Sequence, residues 1–327
     1  MPTRRSPFTC RRVAGLLLLL AGLVAAAVAA FVLAPPTSSL PLLAMRVGQP
    51  AATNYTDSTG PLATGRFAPA APPPTDELLV VTYNLRYGEA ISQTIAAFQA
   101  VEPLPAADFI LLQEMDEAGV VEIAQTLGYD YVYAPASVAE DGDDFGNAIL
   151  SRWPLSDARK IILPGLHPLS GQQRTTTRAT ARVGGADVGH VDVGHADVGH
   201  ADVVLYSTHI EIATAPLALR TEQMAAVLAD VPDDAAAVII GGDFNVVTGE
   251  GVATLAEQYA AGQLDHATPG LGPTLTRFGL RPSAADHLFT RGFAVLDAGV
   301  LGKVRASDHF PVWARLGFLP LTALSCP

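Results

Sequence analysis

Short apolar runs recur along this chain, and nearly every one stops at a polar side chain. LLVVTY (Leu78 to Tyr83) is followed by Asn84, DFILLQE ends on Glu114, DVVLYSTHIE carries His209, and AAAVIIGGDFN carries Asp243 and Asn245. A short continuous apolar run of this kind is the pattern of a strand buried on both faces. Helical stretches separate the runs: ISQTIAAFQAV, the amphipathic EAGVVEIAQTLG with Gly128 as its C-cap, and a helix from about Pro216 to Ala229. GNAILSRWPL, RTTTRATARV, ADHLFTRG and FPVWARL complete the strands. Strands mixed with helices, several strands in succession, and no G-x-G-x-x-G turn point to an α/β domain with mixed sheets. Strand tips along one edge are where open α/β sheets place their sites.

The N-terminus follows a different pattern. Arg4, Arg5, Arg11 and Arg12 precede Val13 to Ala34, a run with no charged or strongly polar side chain. At about 1.5 Å per residue this run makes a helix of roughly 33 Å, long enough to span a hydrocarbon core of about 30 Å. The arginines belong on the cytoplasmic side, which places the rest of the chain outside. Residues 1–12 then read as a basic cytoplasmic tail and 13–34 as a single-pass anchor in the cell membrane. Ala27-Val28-Ala29 also resembles a cleavage site, so a secreted chain released by signal cleavage is the competing reading. A buried core helix is the bland reading, and the flanking arginines disfavour it. Residues 35–75, rich in Pro and Ala and ending in Pro72 to Pro74, read as an extended spacer. The catalytic domain is expected over 76–318, with a short tail over 319–327. Cys10 and Cys326 would lie on opposite sides of the membrane and cannot pair if the anchor stays.

Charge limits the partners. The chain carries Lys+Arg 20 against Asp+Glu 32, for a net charge of -12, and the four N-terminal arginines soften that balance. Non-specific nucleic-acid affinity comes from Lys and Arg neutralising phosphates, so the acidic balance argues against it.

The strand ends and nearby turns supply Asn84, Glu114, His209, Asp243, Asn245, Asp286, Asp308 and His309. A carboxylate-rich, oxygen-rich set suits hard cations, Mg²⁺ with Mn²⁺ or Ca²⁺ as alternatives, better than zinc. Imidazoles beside such a site fit phosphate chemistry, in which the metal offsets charge and the ring handles a proton. Each piece alone has a bland reading. A single His at a strand end is usually a hydrogen-bonded structural residue, GGDFN alone reads as a turn, and SDH reads as a loop entering a strand. Their joint occurrence and order carry the weight.

Taken together, TYN, QE, GNAILSR, TH, GDFN, DHLF and SDHFPV resemble the endonuclease/exonuclease/phosphatase superfamily, the deoxyribonuclease-like metal-dependent phosphoesterases. The resemblance covers about Leu78 to Leu316. It implies an α/β (α+β) fold, a four-layer sandwich of two mixed β-sheets flanked by helices, here preceded by one transmembrane helix. It implies Glu114 as principal metal ligand with Asn84 beside it and Asp308 helping to hold metal or its water. His309 would handle a proton or bind phosphate, oriented by Asp286. Asp243 would position or activate water, Asn245 would hydrogen-bond the phosphate, and His209 would contact phosphoryl oxygens or the leaving group. Asn147 in GNAILSR is a further substrate-binding candidate. Some relatives place an acidic partner for the first histidine near this strand, and GNAIL offers none; Asp143 and Asp144 lie just before it.

Between RTTTRATARV and VVLYSTHIE stands a five-residue repeat, 186–203, with Asp187, Asp192, Asp197 and Asp202 alternating with His190, His195 and His200. Metal binding is the tempting reading. A tandem expansion in a hairpin connection, where insertions are tolerated, is preferred. The units are too few for a pentapeptide solenoid.

The expected activity is hydrolysis of a phosphodiester or phosphomonoester, possible lipid-linked substrates included, by a membrane-tethered extracytoplasmic enzyme. The alternatives are a secreted or membrane-bound nuclease, with Arg174, Arg178 and Arg182 as a backbone-binding stripe, and a catalytically inactive binding module.

Overall fold

The computed structural model describes residues 53–73, 75–139, 142–184, 200–277 and 281–319. The expected tail, membrane helix, first part of the spacer, most of the repeat and the C-terminal end lie outside these residues. Among those described, no helix is long and apolar enough to cross a membrane.

Two β-sheets stack face to face. The first has seven strands: β1 (Ala63–Gly65), β2 (Glu77–Asn84), β3 (Phe109–Met115), β4 (Asp130–Val138), β5 (Asp144–Ser151), β14 (Phe293–Val300) and β15 (Val312–Phe318), in the order β1-β4-β5-β3-β2-β15-β14. The second has six: β6 (Leu155–Ile162), β7 (Thr175–Gly184), β8 (His200–His209), β9 (Ala237–Asp243), β10 (Asp265–His266) and β13 (Asp286–Arg291), in the order β10-β13-β9-β8-β7-β6. A small hairpin, β11 (Leu275–Arg277) with β12 (Arg281–Ser283), stands apart. Each large sheet is mixed for the same reason: β2–β3 and β8–β9 are its single parallel pair, and every other pairing is antiparallel.

Helices cover the outer faces. α1 (Ile91–Ala100) and α2 (Glu117–Leu127) bury Ile95, Phe98, Val120 and Ile123 against Leu79, Val81 and Tyr83 of β2. Asp116 caps α2 by accepting from Gly119 N (2.6 Å), and Gly128 closes it in the left-handed conformation, as its sequence position implied. α3 (Leu217–Asp230) and α4 (Gly249–Ala260) cover the second sheet, where Met224, Val227, Leu255 and Tyr259 meet Val204, Tyr206, Val238 and Ile240. Both faces of each central strand are therefore apolar, which explains the unbroken hydrophobic runs. The result is helix, sheet, sheet, helix: the expected sandwich.

Period-two alternation then decides what points inward. Between the sheets, β2 contributes Leu78 and Val80, β3 Phe109 and Leu111, β8 Val203 and Leu205, and β9 Ala237 and Ile239. Continuing each row by two residues reaches Thr82, Gln113, Ser207 and Gly241. Gln113 Nε2 donates to Ser207 Oγ across the sheets (2.9 Å), and Ser207 Oγ donates back to Leu112 O (2.9 Å). One step further lie Asn84, His209 and Asp243. The polar tips are thus the last members of the rows that build the inter-sheet core.

The Gly-Gly of GGDFN is not a turn. Both glycines lie in β9. A Cβ on Gly241 would sit 2.5 Å from Leu288 Cδ2 and 2.7 Å from Leu111 Cδ1, and one on Gly242 would sit 1.9 Å from Thr208 O. Only hydrogen fits where the sheets and the parallel neighbour approach this closely.

Two other readings change. GNAILSRWPL is two strands rather than one: the chain leaves the first sheet after Ser151, buries Trp153 against Phe109 (ring centroids 5.6 Å), and enters the second sheet at Leu155. Residues 53–73, which composition places in the spacer, pack on the domain: β1 pairs with β4, and Phe67 stacks on Tyr131 (6.1 Å).

Candidate active site

Parallel pairing brings the C-terminal ends of β2 with β3, and of β8 with β9, to the same end of the sandwich. Antiparallel β13 begins there, so Asp286 lies opposite Asp243 in register. His309, in the turn before β15, arrives at the same end, its backbone bridged to Leu275 of β11. One end of the molecule therefore collects side chains that are up to 225 positions apart in the chain (Asn84 to His309).

Asp243 is the centre. Asn84 Nδ2 donates to Asp243 Oδ2 (3.1 Å) and to Glu114 Oε1 (3.0 Å), bridging the two carboxylates. Its Oδ1 accepts from Arg86 N (2.9 Å), which fixes which end of the amide faces them. Asn245 N donates to Asp243 Oδ1 (2.8 Å). His209 Nε2 lies 3.6 Å from Asp243 Oδ2 and 3.8 Å from Glu114 Oε1, and His309 Nε2 lies 3.7 Å from Asp243 Oδ2. Burial, opposed by the His309 charge and reinforced by Asp286 and Glu114, leaves the Asp243 carboxyl raised to about 7.

The two imidazoles stand in opposite environments. His309 Nδ1 faces Asp286 at 2.8 and 3.1 Å, and Asp286 Oδ2 also accepts from Thr274 Oγ1 (2.6 Å). Burial by itself lowers the His309 pKa, but Asp286 and then Asp243 outweigh it and raise it to about 10. His309 is thus an imidazolium at neutral pH. His209 Nδ1 instead meets Arg174 Nη1 (3.3 Å), itself 3.5 Å from Glu211 Oε1 through Nη2. Burial first, and then the Arg174 cation, hold His209 well below the usual imidazole range. A guanidinium only donates, so Nδ1 accepts; Asn245 Nδ2, also a donor, lies 3.3 Å from Nε2 while donating to Ile210 O (3.0 Å), and the Asp243 and Glu114 carboxylates beside Nε2 favour the ring proton there. His209 therefore presents an N–H, and no lone pair, toward Glu114 and Asp243.

Backbone strain concentrates here. Glu114 (φ 56), Asn245 (φ 51), Arg86 (φ 45) and Tyr87 (φ 58) all occupy the left-handed region that costs a non-glycine residue of order 1 kcal/mol or more. At Glu114 the conformation accompanies an irregularity in the β3–β5 pairing between Leu112 and Met115. It lets Gln113 stay in the core row while Glu114 reaches Asn84.

Of the residues expected from sequence, Asn84, Glu114, His209, Asp243, Asn245, Asp286 and His309 come together. Asn147 and Asp308 do not join their hydrogen bonds. Asn147 Nδ2 donates to Thr175 O (2.7 Å), tying β5 to β7 across the sheets. Asp308 accepts from Ser307 Oγ (3.4 Å), and its carbonyl holds Thr276 N (2.9 Å). Sequence reasoning missed Glu211 and Thr274, and it placed Arg174 in a backbone-binding stripe rather than beside His209. The missing acidic partner for His209 is answered by a basic one, and Asp144 instead accepts from Tyr55 Oη (2.7 Å). No local pattern marks Arg174, because its partners lie 35 and 37 residues away.

The donor set fits a hard divalent cation. Glu114, His209 and Asp243 offer atoms within 4.8 Å of one another, as do Asp243, Asp286 and His309. In the first group the imidazole presents a proton, which leaves two adjacent carboxylates as ligands. Asn84 holds these two carboxylates side by side, the oxygen-rich arrangement that a hard cation takes.

Solved structures share this fold. A solved endonuclease/exonuclease/phosphatase from Beutenbergia cavernae superposes with a TM-score of 0.57 at 22% identity, over 75% of this chain and 72% of that one. D. rerio TDP2, in complex with a single-strand DNA product, gives 0.52 at 16% over 74% and 100%. A mannosyl-6-phosphatase from Bacteroides thetaiotaomicron gives 0.50 at 19% over 74% and 100%. No curated protein matches the sequence. The sequence model of the Endonuclease/Exonuclease/phosphatase family aligns with residues 81–309, from the core of β2 to His309 itself. With the sandwich, the polar strand tips and this alignment in agreement, the chain belongs to the endonuclease/exonuclease/phosphatase family.

Proposed function

We propose that the chain is a divalent-metal-dependent phosphoesterase whose hydrolytic groups are the residues around Asp243. The observation that carries this reading is the convergence of two buried imidazoles within 4 Å of one buried carboxylate, His309 backed by the Asp286 carboxylate and His209 by the Arg174 guanidinium. Asp243, near 7, takes a proton from the attacking water as its oxygen bonds to phosphorus. His309 gives its proton to the ester oxygen as the P–O bond breaks. His209 Nε2–H and the Asn245 amide bind the phosphoryl oxygens. Glu114 would hold Mg²⁺, with Asn84 bridging it to Asp243, and the ion would supply charge stabilisation at phosphorus. Manganese or calcium would occupy the same oxygen ligands.

We read residues 13–34 as an anchor that keeps the domain outside the cytoplasmic membrane; the arginine-flanked apolar run supports this. The nuclease reading loses the stripe that favoured it. Arg174 is buried beside His209 and Glu211, and Arg178 is buried with Asp157 (2.6 Å) and Asp230 (3.4 Å), which leaves Arg182 alone at the surface.

A phosphoester panel (oligonucleotides, phospholipids, inositol phosphates, sugar phosphates) assayed with the full chain, with and without Mg²⁺, tests the activity. Glu114→Gln and His309→Ala are each expected to lower hydrolysis by about 10³-fold. Undiminished turnover in either variant overturns the assignment, and metal binding without turnover on any ester favours an inert module. Retention of the intact chain in carbonate-washed membranes tests the anchor. A mature N-terminus just after Ala29 would replace it with a cleaved signal.

A further inference from the structure

Among the described residues, seven large apolar side chains stand exposed, and five of them lie on loops and a helix start at the end that carries the site. Tyr87 follows β2, Leu166 and Leu169 lie between β6 and β7, Leu217 opens α3, and Val247 follows β9. Direct contacts tie these loops to the His209 side of the site. Tyr87 packs on Phe145 (5.4 Å), whose ring lies 5.9 Å from His209. Gln223 Nε2 of α3 donates to Pro164 O (2.8 Å), and Arg220 Nη1 donates to Asn245 O (3.2 Å), two residues before Val247. His167, between the two leucines, lies 3.7 Å from Glu211, the partner of Arg174. Apolar side chains therefore rim the mouth, with Leu217 59% and Tyr87 47% exposed.

The chain also enters the domain at this end. Val138 N, at the tip of β4, donates to Thr53 O (2.8 Å). Asn54 Nδ2 donates to Gly171 O (3.0 Å) and its Oδ1 accepts from Gln173 N (2.8 Å), so the first described residues are bound to the loop that carries Leu166 and Leu169. Residues 35–52 alone separate Thr53 from the apolar run, a reach of at most about 60 Å fully extended. A connection on the far side of the sandwich would have to run round the domain; this one starts at the rim.

We propose that the rim docks on a phospholipid bilayer and that the substrate is a phosphoester whose apolar portion stays in that bilayer. The substrate half rests on the phosphoesterase reading; the docking half does not. Exposed apolar patches beside a site mark a contact surface, and side chains of this size reach the boundary between headgroups and acyl chains. The site then meets a phosphate at the depth where a lipid carries it.

The test uses the full chain with Cys10 and Cys326 replaced by serine, reconstituted in phosphatidylcholine vesicles containing spin-labelled lipid. A bimane is attached at Leu169→Cys or, as control, at Val295→Cys, which is also exposed but pairs with Leu316 at the opposite end of the sheet. Quenching is expected to be roughly threefold stronger at position 169; equal quenching at both positions overturns the docking. The triple variant Leu166→Ser, Leu169→Ser, Leu217→Ser is expected to lose about tenfold in hydrolysis of the vesicle lipid, while soluble bis(p-nitrophenyl) phosphate turns over as in the parent. Equal loss on both esters overturns the proposal, as does a parent that cleaves the soluble ester and no lipid. If neither ester is cleaved but quenching stays selective, the phosphoesterase reading falls and the docking stands.

Discussion

At the scale of single residues, the site is organised by what each imidazole faces. Burial does most to keep His209 neutral, Arg174 adds to it, and replacing Arg174 separates structure from chemistry. Arg174→Met leaves the Glu211 carboxylate buried without its cation and should cost about 3 kcal/mol of stability in urea unfolding. The double variant Arg174→Met, Glu211→Gln removes that charge and should recover most of the stability. Turnover should stay depressed by about 10²-fold in both. In selectively ¹⁵N-histidine-labelled protein, the parent should show His209 Nδ1 unprotonated, and both variants a mixture of tautomers. Parent-like tautomers with reduced turnover would refute the role given to Arg174. The pH profile tests the other imidazole. Asp243 must be ionised to act as a base, so kcat/KM should rise with pH through about 7, or lower once a cation is bound. His309 must keep its proton, so kcat/KM should fall as pH passes about 10. Burial opposes that proton and Asp286 is its chief support, so Asp286→Asn should move the alkaline limb down toward neutrality; an unmoved limb would mean another group sets it. The same raised value has a consequence for folding: the stability it confers is complete below the ordinary imidazole pKa near 6.5 and is lost as pH rises through about 10.

At the scale of elements, alternation explains both what the sequence announced and what it hid. Leu78, Val80, Thr82 and Asn84 form one inward row, so the apolar run and its polar tip were legible together. The same logic holds for Val203, Leu205, Ser207 and His209. Adjacent positions in SDHF diverge: His309 is buried against Asp286, while Asp308 bonds Ser307. Thr274 and Arg174 were illegible because each acts through a partner brought near only by the sheets. The strand β1 was hidden because three residues, ATG, carry no period to read. The repeat is also an element-scale question. Gly184 and His200 are direct partners in the β7–β8 ladder, and Asp202 and Val203 of the expected repeat already belong to β8. Residues 185–199 therefore join two strand ends that are already adjacent, and an Asn-Gly turn in their place should close the hairpin. That deletion is expected to leave Tm within about 2 °C of the parent, because lengthening or shortening a surface loop changes closure entropy only slowly. Hydrolysis should be unchanged as well. A loss of activity at unchanged Tm would give the Asp and His of the repeat a functional role.

At the scale of the whole molecule, charge is spent internally. Arg159 and Arg178 meet Asp157 and Asp230, Arg174 meets Glu211, and Arg315 meets Glu77. Arg152, Arg220 and Arg291 donate to backbone carbonyls. Among the described residues this leaves few cations for a polyanion, on a chain whose net charge is already -12. A protein that holds a nucleic-acid backbone through 6–10 phosphate contacts loses about 10³–10⁵ in affinity between 50 and 200 mM salt. On the proposed reading the phosphoryl group would be held by buried groups, at distances short relative to a Debye length of about 10 Å at 0.1 M salt. Hydrolysis of the preferred ester should therefore change by less than about threefold over the same salt range. The measurement is kcat/KM against ionic strength, with Mg²⁺ held constant and an oligonucleotide assayed in parallel. A steep decline, together with the oligonucleotide as the better substrate, would return the chain to the nuclease branch of its family. A flat profile with the oligonucleotide inert is the outcome that the arginine pairings lead us to expect.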